Sequence, residues 1–268
     1  MLCVFDCESV PDSALLREVY GYEGSDLEVC ESTFAAQKET TGSAFLPIAF
    51  HKIIMISVIE CDDNGRFKRI GNFGFDDESC APPNEQKILE RFLYYLNKTN
   101  PQLVSFNGRN FDLPAIMLRA MKYNLSAESY FETENSAHNK NKWENYRARY
   151  CERFHTDLMD SLSSFGAARG LKLDVVCKMA GIVGKFDTSG DDVCELYFEG
   201  KYEKIAHYCQ SDVLNTYWLY LKYQLLQGKI ALFEYADLLN ILLEKMPKDR
   251  SYSEIFSNTI KAELENLG

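Results

Sequence analysis

The sequence predicts an α/β protein with a mixed sheet and a helical C-terminal extension. Three observations lead there. A β-branched run from His51 to Glu60 meets a second apolar run, Phe67 to Phe75, across Asp62-Asp63-Asn64-Gly65, and this Asn-Gly step between two strand patterns marks an antiparallel hairpin. Further strand and helix patterns alternate around that hairpin, the order expected of an α/β domain. The second half of the chain, in contrast, is mostly helical by its spacing of apolar residues.

Taken in order, Leu2 to Phe5 reads as a short buried strand that ends at Asp6 and Glu8. Side chains alternate along a strand, so these two acids share a face while Cys7 points the other way, into the core. Val10 to Phe50 is an elaborated connection of mixed polarity with two short helical patterns, one of them Asp12 to Tyr20. After the hairpin, Pro82 and Pro83 precede Asn84 as an N-cap, and Ile88, Leu89, Phe92, Leu93 and Leu96 recur at helical spacing. Pro101 restarts the chain into a strand, Leu103 to Phe106, and a helix follows from Leu113 to Met121. Ala206 to Leu226 carries apolar and aromatic residues at i, i+3, i+4 and i+7, and Ile230 to Leu243 and Tyr252 to Leu267 are closing helices separated by Pro247.

At 268 residues and 46% hydrophobic content, the chain is long enough and apolar enough for a real core, which excludes a disordered protein. No apolar stretch approaches the roughly 18 residues of a membrane span, and a cytoplasmic location is expected. Nine cysteines without a C-x-x-C pair fit reduced thiols rather than a disulfide framework or a zinc site. The net charge of -11 opposes binding to a phosphate backbone. That opposition weakens where acids hold divalent cations, because the bound ions reverse the local field.

Asp6 and Glu8 raise the question of what keeps two carboxylates together, since like charges held close cannot both stay ionised cheaply. Two later stretches supply company. In LVSFNGRNFDLPAI, Asp112 opens a helix directly after Asn107-Gly108, a position where an acid also interacts favourably with the helix dipole. In IAHYCQSDVLNTYWLY, Tyr208 and Asp212 are four apart on one helix face. His207 five residues before Asp212 offers a competing H-x-x-x-x-D spacing, but at about 100° per residue it points some 140° away.

Together, FDCESVPD, SFNGRNFDLPAI and YCQSD resemble the three motifs of the DEDD 3'-5' exonucleases, in the tyrosine form of the third, and most closely the stand-alone relatives of the proofreading exonuclease domain of family-B DNA polymerases. HTDLMD (155–160), LKLDVVCKMAGIVGK (171–185) and VCELYFEGKYEKIAHYC (193–209) are similar to family segments in the same order. The resemblance covers most of residues 1–226, and it implies a ribonuclease H-like domain there, with a mixed five-stranded sheet flanked by helices; residues 227–268 are then a helical extension packed on that domain.

The resemblance also implies a site. Asp6, Glu8, Asp112 and Asp212 would hold two divalent metal ions, magnesium or manganese, as suits hard oxygen ligands. Asp6 would bridge both ions, Glu8 and Asp212 would complete the site of the nucleophilic water, and Asp112 would support the second ion. Tyr208 would orient the water, its ordinary pKa of about 10 making it a poor base. Asn107 and Phe111 are candidates to contact the terminal nucleotide, or else a turn residue and a core residue. Asp157 and Asp160 also look like family residues but are not expected to bind metal. Lys140 to Phe154 mixes five basic residues with Trp143, Tyr146, Tyr150 and Phe154, which suits either tracking of a single strand or an amphipathic helix with an aromatic core face. The activity expected is 3'-5' hydrolysis of single-stranded DNA; the same chemistry on RNA and a catalytically silent nucleic-acid-binding module are the alternatives.

Overall fold

The first strand is much longer than its apolar run. In the computed structural model, which describes residues 1–73, 81–185 and 190–267, β1 extends over Leu2–Pro11. The reason is its neighbour: β2 (His51–Cys61) pairs antiparallel along that whole length, placing Asp6 opposite Ser57 and Glu8 opposite Met55, with a bulge between Glu8 and Ser9. The acids therefore lie within the strand rather than past its end. β3 (Phe67–Phe73) returns antiparallel to β2, as the hairpin signal predicts; Gly74 and Phe75 of the expected strand lie outside the described residues. Asp62 organises the turn by accepting from the Asn64 and Arg66 amides, both at 2.9 Å.

On its other side, β1 pairs in parallel with β4 (Gln102–Ser105), and β4 pairs in parallel with β5 (His155–Asp157). The sheet order is β3-β2-β1-β4-β5. This is the five-stranded mixed sheet of the ribonuclease H-like expectation, with β5, three residues long, the strand that no local pattern announces. The β1–β4 pairing covers only Leu2 to Val4 of β1. Asp6 and Glu8 thus sit where β1 has run beyond its parallel neighbour, at the carboxyl ends of the parallel strands, the usual place for a ligand site in an open α/β sheet.

Between β1 and β2 lie α1 (Ser13–Tyr20), capped by Asp12, and α2 (Asp26–Thr41), opened by a Ser25/Glu28 capping box. The Asn84 side chain accepts from the Lys87 amide at 3.0 Å and starts α3 (Glu85–Thr99), whose five expected apolar residues are all buried. α4 (Asp112–Lys122) and α5 (Glu128–Phe131) follow. After β5 come α6 (Leu158–Leu162), α7 (Leu173–Met179), α8 (Val193–Phe198), α9 (Tyr202–Leu226), α10 (Leu232–Lys245) and α11 (Ser253–Leu267).

Strand alternation divides the core. Cys3, Phe5 and Cys7 face α3 and α4, packing with Phe92, Leu113 and Ile116, whereas Leu2 and Val4 face α9, packing with Leu214, Trp218, Leu239 and Phe256. The closing helices share this second core, and the Trp218 indole donates to the Tyr235 hydroxyl at 2.9 Å. A buried ion network ties the sheet-covering helices to the segment after β1. Arg119 of α4 forms a two-pronged pair with Glu85 at 2.7 and 2.6 Å and reaches Asp12 at 2.8 Å.

Residues 140–154 form turns rather than a helix, which corrects the amphipathic-helix alternative. Lys140 is the cause: its buried ammonium donates to Asn100 Oδ1 at 2.5 Å, to the Ser129 carbonyl at 2.7 Å and to Glu132 at 3.0 Å, so the chain closes around it. Tyr146 and Phe154 are core residues, and the Tyr146 hydroxyl donates to the Pro101 carbonyl at 2.6 Å. Trp143 and Tyr150 remain exposed.

Candidate active site

β1 presents Asp6 and Glu8 on the α9 side, both half-buried, with a carboxylate oxygen of each and the Cys209 sulfur within 4.8 Å of one another. Asp112, buried as the first residue of α4, accepts the Cys7 amide hydrogen at 3.0 Å, which fastens the helix start to β1. The approach of β4 to α4 depends on Gly108, since a Cβ there would lie 2.4 Å from Ser105 Oγ. Asn107 adopts the left-handed region (φ 71°) that asparagine tolerates in turns, and Asp157 receives the Asn107 and Arg109 amides at 2.9 and 2.8 Å. α9 brings Tyr208 and Asp212, both buried, to the same place, one turn apart on the helix. His207 points elsewhere, its ring 3.2 Å from Arg250 and packed near Tyr252 ahead of α11.

Electrostatics ties the four acids into one unit. Burial, then Asp112, Glu8 and Asp212, push the Asp6 carboxyl well above its ordinary range; burial and Asp212 do the same to Glu8. Burial lifts Asp112 and Asp212 to about 6 each, against bonds from Cys7 in the first case and the charge of Lys185 in the second. Such crowding is costly in the absence of positive charge. Lys185 supplies some: it acts on Asp6, Glu8 and Asp212, and its ammonium lies 5.3 Å from the centre of the Tyr208 ring. Motif spacing does not reveal this lysine, because it arrives from a loop after α7; its place at the end of the 171–185 segment is the only signal.

The donor set suits hard divalent cations. Asp212 Oδ1 is buried with no hydrogen-bond partner among the described residues, an acceptor waiting for a positive group. Cys209 is an unsuitable ligand despite its position, since burial and the neighbouring acids keep its thiol protonated and it lies 3.7 Å from the Asp6 carbonyl, in donor position.

Asn107 spends its side-chain oxygen on the Asn110 amide at 3.0 Å, so the turn reading describes its observed contacts. Phe111 packs edge-on against His51 and Phe45, with ring centres 4.9 and 5.2 Å away. These rings, Glu8 and the α2 side chains Phe34 and Lys38 line a cavity of about 620 Å³. Phe45, Phe34 and Lys38 are contributions that motif reasoning misses, because the segment between β1 and β2 carries no motif. Asp157 and Asp160 serve the frame: the first caps α6 through the Met159 amide, and the second takes a two-pronged bond from Arg149 at 3.0 and 2.8 Å.

Known proteins share this arrangement of sheet and helices. Residues 43–260 match the model of a family described as a predicted 3'-5' exonuclease related to the exonuclease domain of PolB; Asp6 and Glu8 lie ahead of the matched range. The catalytic polypeptide of DNA polymerase epsilon from Aspergillus fumigatus is 30% identical over 147 residues, 53% of this chain and 6% of the relative. A DNA polymerase of Archaeoglobus fulgidus is 25% identical over 144 residues, 53% of this chain and 18% of the relative. The chain therefore spans only a small part of the length of either. The family B DNA polymerase of the hyperthermophilic archaeon Pyrobaculum calidifontis superposes with a TM-score of 0.50 at 16% identity, over 97% of this chain and 26% of that one, a likeness of fold. With the family model matching most of its length, the chain belongs to the family of predicted 3'-5' exonucleases related to the exonuclease domain of PolB.

Proposed function

We propose that the protein is a metal-dependent 3'-5' exonuclease that removes nucleoside 5'-monophosphates from the 3' end of single-stranded DNA. The observation that carries this reading is the convergence of Asp6, Glu8, Asp112 and Asp212, mutually repelling and with Asp212 Oδ1 unpartnered among the described residues, beside a cavity of about 620 Å³. Asp6, Glu8, Asp112 and Asp212 would hold two magnesium or manganese ions. When bound, these ions supply charge to the attacking water and the departing 3'-oxygen.

The residues of the chain then divide the work. Tyr208 keeps its proton, because burial and the neighbouring acids hold its hydroxyl far from ionisation, so it positions the water rather than deprotonating it. Lys185 offsets part of the carboxylate charge. Phe111 and Glu8 border the cavity that would receive the terminal nucleotide. The proposed location is the cytoplasm, in keeping with the eight described cysteines, all free.

The test is incubation with end-labelled single-stranded DNA, duplex DNA and RNA, with and without magnesium. Mononucleotides released stepwise from the 3' end of single-stranded DNA, and a block by a 3'-phosphate, are expected. Undiminished cutting in excess EDTA, cleavage of a circular single strand, or preference for RNA overturns the corresponding part of the reading.

A further inference from the structure

The turns of residues 140–154 leave Tyr150 where solvent reaches it, beside Phe165 of the segment after α6. Tyr150 is 78% exposed and Phe165 38% exposed, and they meet edge to face with centres 4.8 Å apart. Phe165 also has φ 58° and follows Ser164 at φ 51°. A bulky residue in the left-handed region is a strained one, and such strain persists where the surroundings impose it, commonly at binding sites. Here the imposing bond is from the Phe165 amide to the Asp160 carbonyl, at 2.7 Å.

Asp160 links this pair to the candidate active site. Its carboxylate holds Arg149, the residue before Tyr150, and lies 3.6 Å from Arg109, which stands between Asn107 and Asp112. Both rings are thereby tied to the carboxyl end of β5, beside the carboxyl end of β4. The charge around them is also unusual for this chain: residues 141–153 carry four basic and two acidic residues, a local excess of +2 in a chain of net charge -11.

We propose that Tyr150 and Phe165 form a stacking platform for a base of the single strand upstream of its 3' end, with the exposed basic residues Lys142, Arg147, Arg149 and Arg153 tracking the backbone. This rests on the exonuclease reading and adds the path of the strand away from the site. Stacking on exposed rings flanked by cations is how single strands are held without regard to sequence.

The experiment measures fluorescence anisotropy of labelled oligo(dT) of about 12 and about 3 nucleotides in EDTA, so that nothing is cut, with the full chain and its Tyr150→Ala and Phe165→Gly variants. Each variant is expected to weaken binding of the longer strand about 10-fold, within the range for one stacked base, and to leave the trinucleotide unaffected. Phe165→Gly should also melt no lower than the parent, because glycine accepts the backbone conformation that phenylalanine resists. Unchanged affinity for the longer strand in both variants overturns the platform, as does a loss that extends equally to the trinucleotide. If the parent protein with magnesium removes 3' nucleotides and the variants bind normally, the platform alone fails; if the parent neither binds nor cuts, the exonuclease reading fails with it.

Discussion

Burial and mutual repulsion act in the same direction on the carboxylates, and this gives the metal-free protein a distinctive dependence on pH. Asp112 and Asp212 hold their protons to about pH 6 when folded, against an ordinary value of 3.8. Between those values the folded state binds protons that the unfolded state has released, so stability falls as pH rises through that window, by on the order of 3 kcal/mol per group at most. Magnesium should reverse the loss where the acids are ionised. Thermal melts are expected to show a large rise in Tm on adding magnesium at about pH 7.5 and little at about pH 5; an equal rise at both would remove the carboxylates from the explanation. Asp6→Ala should abolish hydrolysis and the magnesium effect while melting no lower than the parent without metal, because one of several repelling charges has gone; gross unfolding of the variant would make Asp6 structural. Tyr208→Phe should lower the rate about 100-fold or more, the scale of one positioned group, while His207→Ala, altered beside Arg250 rather than Asp212, keeps most of it. Both are decided by rates on one single-stranded substrate, and the reverse result would give the water to the histidine.

Among the elements, those set by local pattern are legible in the sequence and those set by distant partners are not. The hairpin, α3, α4 and the closing helices follow from Asn-Gly, Asn84 and apolar spacing, each a signal contained within some 15 residues. β1 reads as a shorter strand than it is because its continuation through Asp6 and Glu8 depends on pairing with β2, far along the chain. β5 and the 140–154 turns escape for a related reason: three residues make no period, and a buried lysine paired to Glu132 reads in sequence as a solvated charge. In the site, the four acids and the tyrosine are legible because motif spacing carries them, whereas Lys185, Phe45 and Lys38 come from loops and from the segment after β1. The Arg119–Glu85–Asp12 network fixes where that segment leaves the sheet. Replacing Arg119 by Leu leaves Glu85 buried without its counter-charge and Asp12 with Lys122 alone, and should cost about 3–5 kcal/mol, read by urea denaturation; a loss below about 1 kcal/mol would show that the network is solvated in practice.

At the scale of the whole molecule, the closing helices share one core with the sheet. Tyr235, Leu239, Leu242, Tyr252, Phe256 and Ile260 are at most 1% exposed and share a cluster with Leu2 and Val4 of β1. Each such side chain contributes about 1.5–3 kcal/mol of burial, so together they match the roughly 5–15 kcal/mol that typically separates folded from unfolded protein. A chain ending at Leu226 is therefore expected to lose cooperative melting and bind a hydrophobic dye such as ANS; a sharp thermal transition without dye binding would show that residues 1–226 fold alone.

The bond geometry between Cys209 and the Asp6 carbonyl spans 203 residues of chain, and that span has a meaning during synthesis. At roughly 5–20 residues per second, the ribosome makes Asp6 about 10–40 s before Asp212. Throughout that interval the nascent polypeptide holds Asp6, Glu8 and eventually Asp112 without their fourth partner, and without the helices that shelter them. On the exonuclease reading, a growing chain tethered beside messenger and ribosomal RNA lacks part of the proposed metal site, and competence would arrive only when the later-made helices close over the earlier-made strand.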